Sequence, residues 1–589
     1  MAKKKKRLNR RGKQVLSLLF TILVIILLIG GYVGIRLFEK YSPTKEHMDT
    51  EEYFADFFED VSSDQVYVYL NDEPIGLKVL SLDGHVYLPR EYVVENFNCR
   101  FYRDLASNSI QYTLADDILT YQTDGTTCTS LNGATTELSY IPVHSGTDFE
   151  GVSELYIDID LVQEHADFDY RFYENPNRLF LYTNYEEKTY AKLTKNTAIR
   201  YRGGIKSPVI YDGSKGEEVE VLADLEDWVE VRTADGFFGY VSSKHVGDRY
   251  QETHESHEFV EDQAPSYISL GTKVNLVFQS IGGSAYNGEM LEEDLPSNAK
   301  VNVISPTWFS LSDSKGNFTS FANKDYVNTA HKMGLQVWAL IDDFDSSVDK
   351  FTLFSVAENR ANLIDNLMSS ATAYGFDGIN LDFEHIQVAE AEHYLQFIRE
   401  LSMACEEHNL VLSIDNYTPQ PYNEYYNRYE QGFWIDYSII MGYDEYYAGS
   451  ETAGPVASIG YVEEGIKNTV AVVDPAKVIN AMPFYTRVWR ETKASDGSIT
   501  VSSKAVAMDD AADFLNRNGC PIAWDESTGM YYGSFEESSN VTVKVWLENE
   551  GTIEAKMKLY QQYGIAGVGG WRLGLENTAT WGVINRMLP

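Results

Sequence analysis

Polar and apolar residues alternate through the segment from Phe376 to Glu384, which reads Phe-Asp-Gly-Ile-Asn-Leu-Asp-Phe-Glu. In a β-strand successive side chains point to opposite faces, so Asn380, Asp382 and Glu384 are expected on one face. Buried carboxylates are costly, and groups of this kind often have shifted pKa values that suit proton transfer. The pattern therefore predicts a strand that carries a general acid and a second carboxyl. A solvated strand face or a row of ion pairs would give the same alternation.

Three downstream segments carry further polar and aromatic groups: Met441-Gly442-Tyr443-Asp444, Met482 to Trp489, and Gly569-Gly570-Trp571. Together with the first segment, they resemble the signature elements of glycoside hydrolase family 18, the chitinase-like (β/α)8 barrels. Asp377, Gly378, Asp382 and Glu384 match the family motif Asp-Gly-x-Asp-x-Asp-x-Glu, whereas Asn380 stands where the family usually has Asp. Within the family, Tyr443-Asp444-Glu445 and Gly454 to Ser458 are most similar to bacterial wall and spore-cortex N-acetylglucosaminidases.

The resemblance implies a role for each of these residues. Glu384 is the expected acid that protonates the leaving oxygen, and the N-acetyl group of the substrate replaces a protein nucleophile. Asp382 is expected to orient that acetamide, and Tyr443 to donate a hydrogen bond to its oxygen. Substrate binding is implied for Asn380, Asp444, Trp571, Tyr485, Arg487 and Glu445. Neither a metal ion nor another cofactor is expected.

Asn380 is the departure with a chemical consequence. An Asn can hydrogen-bond Asp382, but it cannot take up that residue's proton or charge. The pKa coupling between the strand carboxyls should therefore differ from the usual pattern. A shifted pH optimum or slower turnover is expected.

Aromatic residues are candidates for the walls of a sugar-binding cleft: Trp308, Trp338, Tyr417, Tyr446, Tyr447 and Trp489. Core packing is the alternative interpretation. It is the favoured one for Trp338, and the two interpretations are balanced for Trp308 and Trp489.

The elements that must position this site lie in residues 266–589. Strand and helix patterns alternate there, which indicates βα units and a parallel sheet. Candidate strands begin near Val274, Val301, Gln336, Gly378, Val411, Tyr437, Val478 and Ile565. The stretch 490–550 is too long for an ordinary loop and predicts a small α+β insertion. The prediction is a (β/α)8 TIM barrel with its active site at the carboxyl ends of the strands.

Two β-rich domains are expected before the barrel. Residues 62–185 contain Tyr87 to Glu91 and Leu155 to Asp160, which resemble the extracellular domain named after the copper amine oxidase N-terminus, without a cluster of copper ligands. Residues 190–248 resemble a bacterial SH3-like barrel, on the evidence of Trp228 to Val231 and Gly239 to Val241. The acidic segment 249–265 is predicted to be a linker.

An apolar run from Val15 to Phe38 has no charged residue before Arg36 and follows a basic segment, residues 1–14. It is long enough to cross a hydrocarbon layer of about 30 Å. Since basic flanks stay in the cytoplasm, it predicts a single-pass membrane helix over 15–38, with a cytoplasmic tail and everything beyond it outside. A cleaved signal peptide is the alternative.

The composition narrows the choice of function. The chain of 589 residues has 48 Lys and Arg against 88 Asp and Glu, a net charge of −40. Because nucleic-acid binding rewards basic surfaces, no nucleic-acid partner is expected. The sequence thus predicts a multidomain, membrane-anchored extracellular glycosidase that acts on an N-acetylglucosamine-containing polysaccharide. Peptidoglycan is the preferred substrate. Chitin or chito-oligosaccharide is the first alternative, and a non-catalytic glycan-binding protein is the second.

Overall fold

The computed structural model describes residues 10–58, 65–253, 259–283 and 286–588. The chain divides into two compact units, of which the first contains Met1–Cys99 and Ile141–Glu261 and the second contains Arg100–Tyr140 and Asp262–Pro589. The range 62–185, expected as one domain, is therefore split, because its central part packs with the second unit. Of the predicted basic tail, residues 1–9 lie outside the described residues.

Eight parallel strands form a closed barrel in the second unit. They are β1 (Val274–Gln279), β2 (Val303–Leu311), β3 (Gln336–Asp342), β4 (Gly378–Asp382), β5 (Val411–Tyr417), β6 (Tyr437–Met441), β7 (Val478–Pro483) and β8 (Gly567–Trp571). Strand β1 pairs with both β2 and β8, which closes the sheet. The structure confirms the predicted barrel, and each strand begins within two residues of its expected start.

Helices surround this barrel: Gly288–Asp294, Lys324–Lys332, Lys350–Ser355, Ala357–Tyr374, Ala391–His408, Arg428–Trp434, Ile459–Val470, Glu550–Tyr563 and Thr578–Met587. Their apolar faces and the outward-facing strand residues form one core, which includes Ile379 and Leu381 of β4, both fully buried. The barrel strands are apolar on both faces because they are covered on both sides.

The first two residues of the sequence motif hold β4 in place. Asp377 accepts a hydrogen bond of 2.8 Å from the Val337 amide at the start of β3, and its other near neighbour is the His331 ring at 2.8 Å. A Cβ atom on Gly378 would lie 2.8 Å from Trp338 Cδ1 and 2.8 Å from the carbonyl oxygen of Val411. A larger residue than Gly would therefore push β4 away from its neighbours.

A five-stranded antiparallel sheet with one helix is inserted between β7 and β8. Its strands are Tyr485–Lys493, Ile499–Ala507, Ile522–Asp525, Met530–Ser538 and Val541–Leu547, and its helix is Met508–Arg517. This is the predicted α+β insertion, which begins directly after the carboxyl end of β7. It is thus connected to the end of the barrel where the motif carboxyls lie.

A meander of five short strands also belongs to the second unit: Phe101–Asp104, Ser109–Thr113, Ile118–Gln122, Thr127–Thr129 and Thr135–Glu137. A buried ion-pair cluster ties it to the barrel helices. Glu430 lies 3.1 Å from Arg100 and 2.9 Å from Arg399. Burial alone would raise the pKa of Glu430, but the two guanidiniums outweigh it and lower that pKa to about 2.

Replacing Glu430 with Gln is expected to lower the free energy of unfolding by about 3–5 kcal/mol, because two guanidiniums would remain buried without their shared carboxylate. The stabilisation is complete above the ordinary pKa of 4.5 and is lost as the pH falls towards the folded value of about 2. Thermal and urea unfolding of the full chain at pH 7 and pH 3 would measure it. The control is Glu537→Gln, which breaks an exposed pair with Arg490 and should cost less than about 1 kcal/mol. Equal losses in both variants would contradict the prediction.

Three sheets lie within the described residues of the first unit. Two are four-stranded, with strands Asp169–Tyr173, Arg178–Tyr182, Tyr67–Leu70 and Glu73–Ile75 in one, and Val143–Thr147, Ser153–Asp158, His85–Pro89 and Leu80–Leu82 in the other. Short helices lie at Thr50–Ala55, Arg90–Asn96 and Ile159–Glu164. The third sheet has seven strands: Glu187–Lys192, Thr197–Arg200, Val209–Gly213, Glu218–Asp224, Trp228–Thr233, Phe238–Ser242 and Tyr250–Thr253.

The expected linker over 249–265 was wrong at its start. Tyr250–Thr253 pairs with Glu187–Tyr190 as the edge strand of the seven-stranded sheet. This strand reads Tyr-Gln-Glu-Thr and has no apolar alternation that could have predicted it. Residues 254–258 lie outside the described part of the chain, and 259–265 have no regular secondary structure.

The N-terminal helix, Arg10–Tyr41, is longer than the predicted 15–38. Its most apolar window has a mean hydropathy of 2.8, and none of that window is buried within the protein. Its length and composition suffice to cross a membrane, although a signal sequence has the same properties.

Candidate active site

A cavity of about 530 Å³ opens at the carboxyl ends of the barrel strands. Its walls are Phe344, Asp382, Glu384, Asp415, Tyr417, Thr418, Tyr422, Met441, Tyr443, Asp444, Tyr447, Tyr461 and Trp571. These residues come from the ends of β4, β5, β6 and β8, from the segments that follow the strands, and, for Tyr461, from the helix Ile459–Val470. The mouth is therefore both acidic and aromatic.

Glu384 lies two residues beyond the end of β4, on a loop held by a neighbouring carboxylate. Asp343, which follows β3, accepts hydrogen bonds from the backbone amides of Glu384 at 3.0 Å and His385 at 3.0 Å. Lys350 lies 3.5 Å from the same carboxylate, whose side chain is fully buried. Asp343 thus fixes the backbone from which the Glu384 side chain enters the cavity.

Burial raises the pKa of Glu384 above its ordinary value. Hydrogen bonding from Tyr417 and the charge of His385 oppose the increase, while the charges of Asp343 and Asp444 add to it. A carboxyl group with a raised pKa remains protonated at a higher pH, which is the state that a general acid needs.

Asp382, the last residue of β4, is almost completely buried at the bottom of the cavity. Its Oδ1 atom has no hydrogen-bond partner within the described part of the chain. Burial raises the pKa of Asp382 well above its ordinary range, and the next largest cause is the charge of Asp415, followed by that of Glu384. A buried carboxyl in this state needs either a proton or a donor from a ligand.

Tyr443 and Trp571 form one aromatic side of the cavity. Tyr443 follows β6 and Trp571 ends β8, and their rings stack at an interplanar angle of 27° with centroids 6.3 Å apart. Asp444 adopts a left-handed backbone conformation, φ 56°, and accepts a hydrogen bond from the Tyr485 hydroxyl. Positive φ outside glycine is uncommon and concentrates at functional sites.

The structure thus brings Glu384, Asp382, Tyr443, Asp444 and Trp571 together around one cavity. Tyr485 lies behind this wall, buried and bonded to Asp444.

Asn380, Arg487 and Glu445 do not line the cavity. Asn380 is fully buried below it, and its amide group donates 3.1 Å hydrogen bonds to Ser413 and Asp415. The expected hydrogen bond from Asn380 to Asp382 is therefore replaced by one to the neighbouring strand.

The other two side chains are engaged outside the cavity. Arg487 donates to Ser503 within the inserted sheet at 2.9 Å, and Glu445 accepts the Ser458 amide at 2.7 Å. Since Ser458 caps the helix Ile459–Val470, Glu445 orders the loop after β6. In this structure Asn380, Arg487 and Glu445 bond to protein groups outside the cavity lining, and their contacts with substrate stay a prediction.

The aromatic candidates separate into two groups. Tyr417 and Tyr447 line the cavity, whereas Trp308, Trp338 and Trp489 are buried in the interior. Tyr446 is outside the lining set. Three further lining residues were not expected there: Phe344 after β3, Tyr422 in the short 3-10 helix Pro421–Tyr426, and Tyr461 in the helix Ile459–Val470.

Asp415 is the chemically important residue that the sequence analysis missed. A signal was present, because Ser413 and Asp415 alternate with the apolar residues Leu412 and Ile414 along β5, as the polar residues of β4 alternate with theirs. That alternation predicts a second row of polar side chains on the inner face of the barrel.

Comparisons with known proteins agree with this geometry. The model of the family "Glycosyl hydrolases family 18" matches residues 236–576, and that of the "Bacterial SH3 domain" matches residues 195–247. The second match confirms the SH3-like resemblance. The likeness of residues 62–185 to the copper amine oxidase N-terminal domain stays a prediction.

Individual relatives are distant. The chain is 24% identical over 298 residues to the uncharacterized glycosylase YvbX of Bacillus subtilis (strain 168), which covers 49% of this chain and 84% of that protein. It is 23% identical over 228 residues to the cortical fragment-lytic enzyme of the same organism, covering 38% of this chain and 52% of that protein. The crystal structure of the Bacillus cereus spore cortex-lytic enzyme SleL aligns with a TM-score of 0.48 and 18% identity, over 59% of this chain and 79% of that chain.

The chain spans about half the length of the cortical fragment-lytic enzyme. The family match, by contrast, extends over more than half of this chain and includes the motif strand, the aromatic wall and the acidic mouth. The chain therefore belongs to glycosyl hydrolases family 18.

Proposed function

We propose that this protein hydrolyses glycosidic bonds of N-acetylated amino sugars, with retention of configuration and with the acetamide of the substrate as nucleophile. The observation that carries the proposal is the pairing of two differently placed carboxyls in one cavity. Glu384 has a raised pKa on a fixed loop, and Asp382 has a buried oxygen with no partner within the described residues. The first suits proton donation, and the second suits an N–H donor on the substrate.

In the first step protonated Glu384 gives its proton to the glycosidic oxygen, and the bond from that oxygen to the anomeric carbon breaks. The acetamide oxygen of the same sugar bonds to the anomeric carbon and forms an oxazolinium ion. Asp382 accepts the acetamide N–H and stabilises the positive charge, while Tyr443 donates to the acetamide oxygen. In the second step ionised Glu384 takes a proton from water as the water oxygen bonds to the anomeric carbon. The bond between that carbon and the acetamide oxygen breaks, which restores the acetamide and the acid.

The aromatic wall supports a sugar as the ligand. Trp571 and Tyr443 stack on one side of the cavity, and three further lining residues, Phe344, Tyr422 and Tyr447, are 51%, 75% and 56% exposed. Exposed rings around a cavity are typical of ligand-binding sites. The same rings would serve a non-catalytic glycan-binding protein, which is the alternative that the activity measurement must exclude.

Peptidoglycan is the substrate that we favour over chitin. Relatives of this chain include proteins described as a cortical fragment-lytic enzyme and as a class V chitinase, so both polymers are represented. The bacterial SH3 domain and the apolar N-terminal helix favour an enzyme that works at a bacterial envelope. We propose that this helix anchors the chain with its N-terminus in the cytoplasm and the barrel outside.

The test is cleavage of purified, fully N-acetylated peptidoglycan by the full chain in detergent. New reducing ends are reduced with borohydride and identified by mass spectrometry, and the anomeric form of the first product is followed by NMR. We expect β-configured products with N-acetylated sugars at the new ends. Chitin oligomers are tested in parallel, and faster cleavage of them would favour the alternative polymer.

The matched control is the same glycan after chemical de-N-acetylation, because the acetamide is the proposed nucleophile. Equal cleavage of both glycans, or products of inverted configuration, would contradict the mechanism. Binding without cleavage would favour the glycan-binding alternative.

For the proposed membrane anchor, activity should remain in the membrane pellet after a high-salt wash and enter solution only with detergent. A soluble, shortened chain would indicate a cleaved signal.

A further inference from the structure

The inner face of the barrel carries an unassigned carboxyl next to Asp382. Leu381 of β4 is in register with Ile414 of β5, so the next residues of the two strands, Asp382 and Asp415, are neighbours. Adjacent strands lie about 4.8 Å apart, and residues at matching positions of parallel strands point to the same side. Both side chains line the cavity, and both are 4% exposed.

Asp415 is also fixed from below. The Asn380 amide donates to Asp415 Oδ1 at 3.1 Å and to the Ser413 hydroxyl at 3.1 Å, while its own oxygen lies 3.3 Å from the Ser305 hydroxyl. Asn380 therefore has polar partners on β2 and β5, and its orientation is determined by them. It presents an N–H to Asp415, as a carboxyl at position 380 could not do when ionised.

The carboxyl on the other side of Asp382 is engaged elsewhere. Asp342 is in register with Asp382 across β3 and β4. It accepts a hydrogen bond from the Ser310 hydroxyl at 2.8 Å and another from the Phe344 amide at 3.2 Å. Burial raises the pKa of Asp342, and these two hydrogen bonds oppose that rise. Because both oxygens of Asp342 already have protein donors and Asp342 lies outside the cavity lining, Asp415 is the neighbour placed to exchange a proton with Asp382.

We propose that Asp415 is a positioning residue that shares one proton with Asp382, the part that Asn380 cannot play. This inference rests on the proposed function. In the free protein the proton lies between the two buried carboxyls. When substrate binds, the O–H bond at Asp382 breaks and one at Asp415 forms, so that Asp382 carries the negative charge towards the acetamide. Product release returns the proton, and no other reactant is needed.

The surrounding groups fit a pair that holds a single proton. Burial raises the pKa of Asp415 well above its ordinary range, against the opposing hydrogen bond from Asn380. Two buried like charges side by side are unfavourable, and one retained proton removes the repulsion. The titratable groups that act on this pair from the packed elements are Asp342, Asp343, Glu384, Tyr394, Tyr417 and Tyr443.

The test exchanges the two hydrogen-bonded residues. Asp415→Asn removes the second carboxyl, and the double variant Asn380→Asp/Asp415→Asn returns it one residue pair lower on the same inner face. The full chain is assayed with an aryl β-glycoside of di-N-acetylchitobiose from pH 4 to pH 9. For Asp415→Asn we expect kcat to fall about 10- to 100-fold, with a smaller change in KM. We expect the acid limb of the rate profile to move up by about one pH unit. In the wild type the proton on Asp415 stabilises ionised Asp382, and without it a higher pH is needed to ionise Asp382.

In the double variant we expect kcat to recover by at least half of the loss, measured on a logarithmic scale. The acid limb should also return towards its wild-type position. Asp342→Asn is the matched control: its activity should not be recovered by adding Asn380→Asp, because Asn380 bonds to Asp415 and not to Asp342. An Asp415→Asn variant with wild-type kcat and pH profile, or a double variant no better than the single one, would overturn the inference. If Glu384→Gln loses its activity on the natural N-acetylated glycan, the proposed function stands in either case.

A second measurement does not depend on turnover. Carboxyls with a raised folded pKa bind protons more tightly in the folded state, so stability increases as the pH falls from above the folded pKa towards the ordinary value. Between pH 8 and pH 5 the melting temperature of Asp415→Asn should therefore rise less than that of the wild type, and the double variant should regain the slope. Equal slopes in all three proteins would overturn the shared proton even if no substrate were cleaved.

Discussion

Glu384→Gln is expected to lower kcat for N-acetylated glycan by about 10³-fold, in the range found for a missing general acid. Gln has nearly the same shape but cannot donate a proton to the glycosidic oxygen. Because Gln fills nearly the same space as protonated Glu384 and is likewise neutral, KM should change by less than about fivefold. Steady-state kinetics with purified full-length protein would measure both constants.

An aryl glycoside with a good leaving group separates the role of the acid from a general loss of structure. Protonation matters less for such a leaving group, so the variant should lose less activity on it than on the natural glycan. Glu358→Gln, on the exposed face of the helix Ala357–Tyr374, is the control and should keep the wild-type rate. Equal losses on both substrates would argue against Glu384 as the proton donor.

The raised pKa of Glu384 has a direct consequence for the pH profile. Since the protonated form is active, the rate should fall as the pH rises through the pKa of Glu384, and burial moves that alkaline limb above the ordinary Glu range. In Glu384→Gln the residual rate should lose this limb. A limb that persists unchanged would assign it to another group.

Asp382→Asn is expected to have the second largest effect, a fall in kcat of about 10²- to 10³-fold. The amide removes the negative charge that faces the developing oxazolinium ion and replaces an acceptor with a possible donor. It also fills the space of Asp382 almost without change, so the fold should be retained. Kinetics on fully N-acetylated and partly de-N-acetylated glycans would measure the effect.

The comparison between these glycans tests the role of Asp382 specifically. If Asp382 orients the acetamide, the wild-type preference for N-acetylated glycan should be smaller in the variant. The rate on N-acetylated glycan should fall more than the rate on de-N-acetylated glycan. Asp509→Asn, on the exposed helix of the insertion, is the control and should keep the preference. A variant with lower rate but an unchanged preference would assign Asp382 to another part of the reaction.

The barrel was predictable because each strand is a short apolar run between helical segments. Once eight such strands close into a barrel, the register between neighbouring strands is fixed. The motif carboxyls were predictable because alternation on β4 puts Asp382 and Glu384 on one face. What the alternation could not reveal is the engagement of each side chain. Asn380 bonds to β5 and Arg487 to the inserted sheet, and both contacts depend on residues far away in the chain or in another element.

The division of residues 62–185 was beyond the sequence for a related reason. The short strands of the meander from Phe101 to Glu137 have the same composition and spacing as the strands around them. Their attachment to the barrel helices depends on the buried contact of Arg100 with Glu430, residues 330 positions apart. Local patterns carry no information about such a partner.

The close packing of acidic groups at the barrel mouth lowers the stability of the folded protein. Near neutrality the fold must keep several carboxyls dehydrated and close together, which disfavours it relative to the unfolded chain. Mild acidification protonates these carboxyls and removes the cost of keeping them charged and dehydrated. The protein should therefore resist unfolding best in mildly acidic media. A variant that no longer has to cleave glycan would gain stability if these Asp and Glu residues were replaced by Asn and Gln.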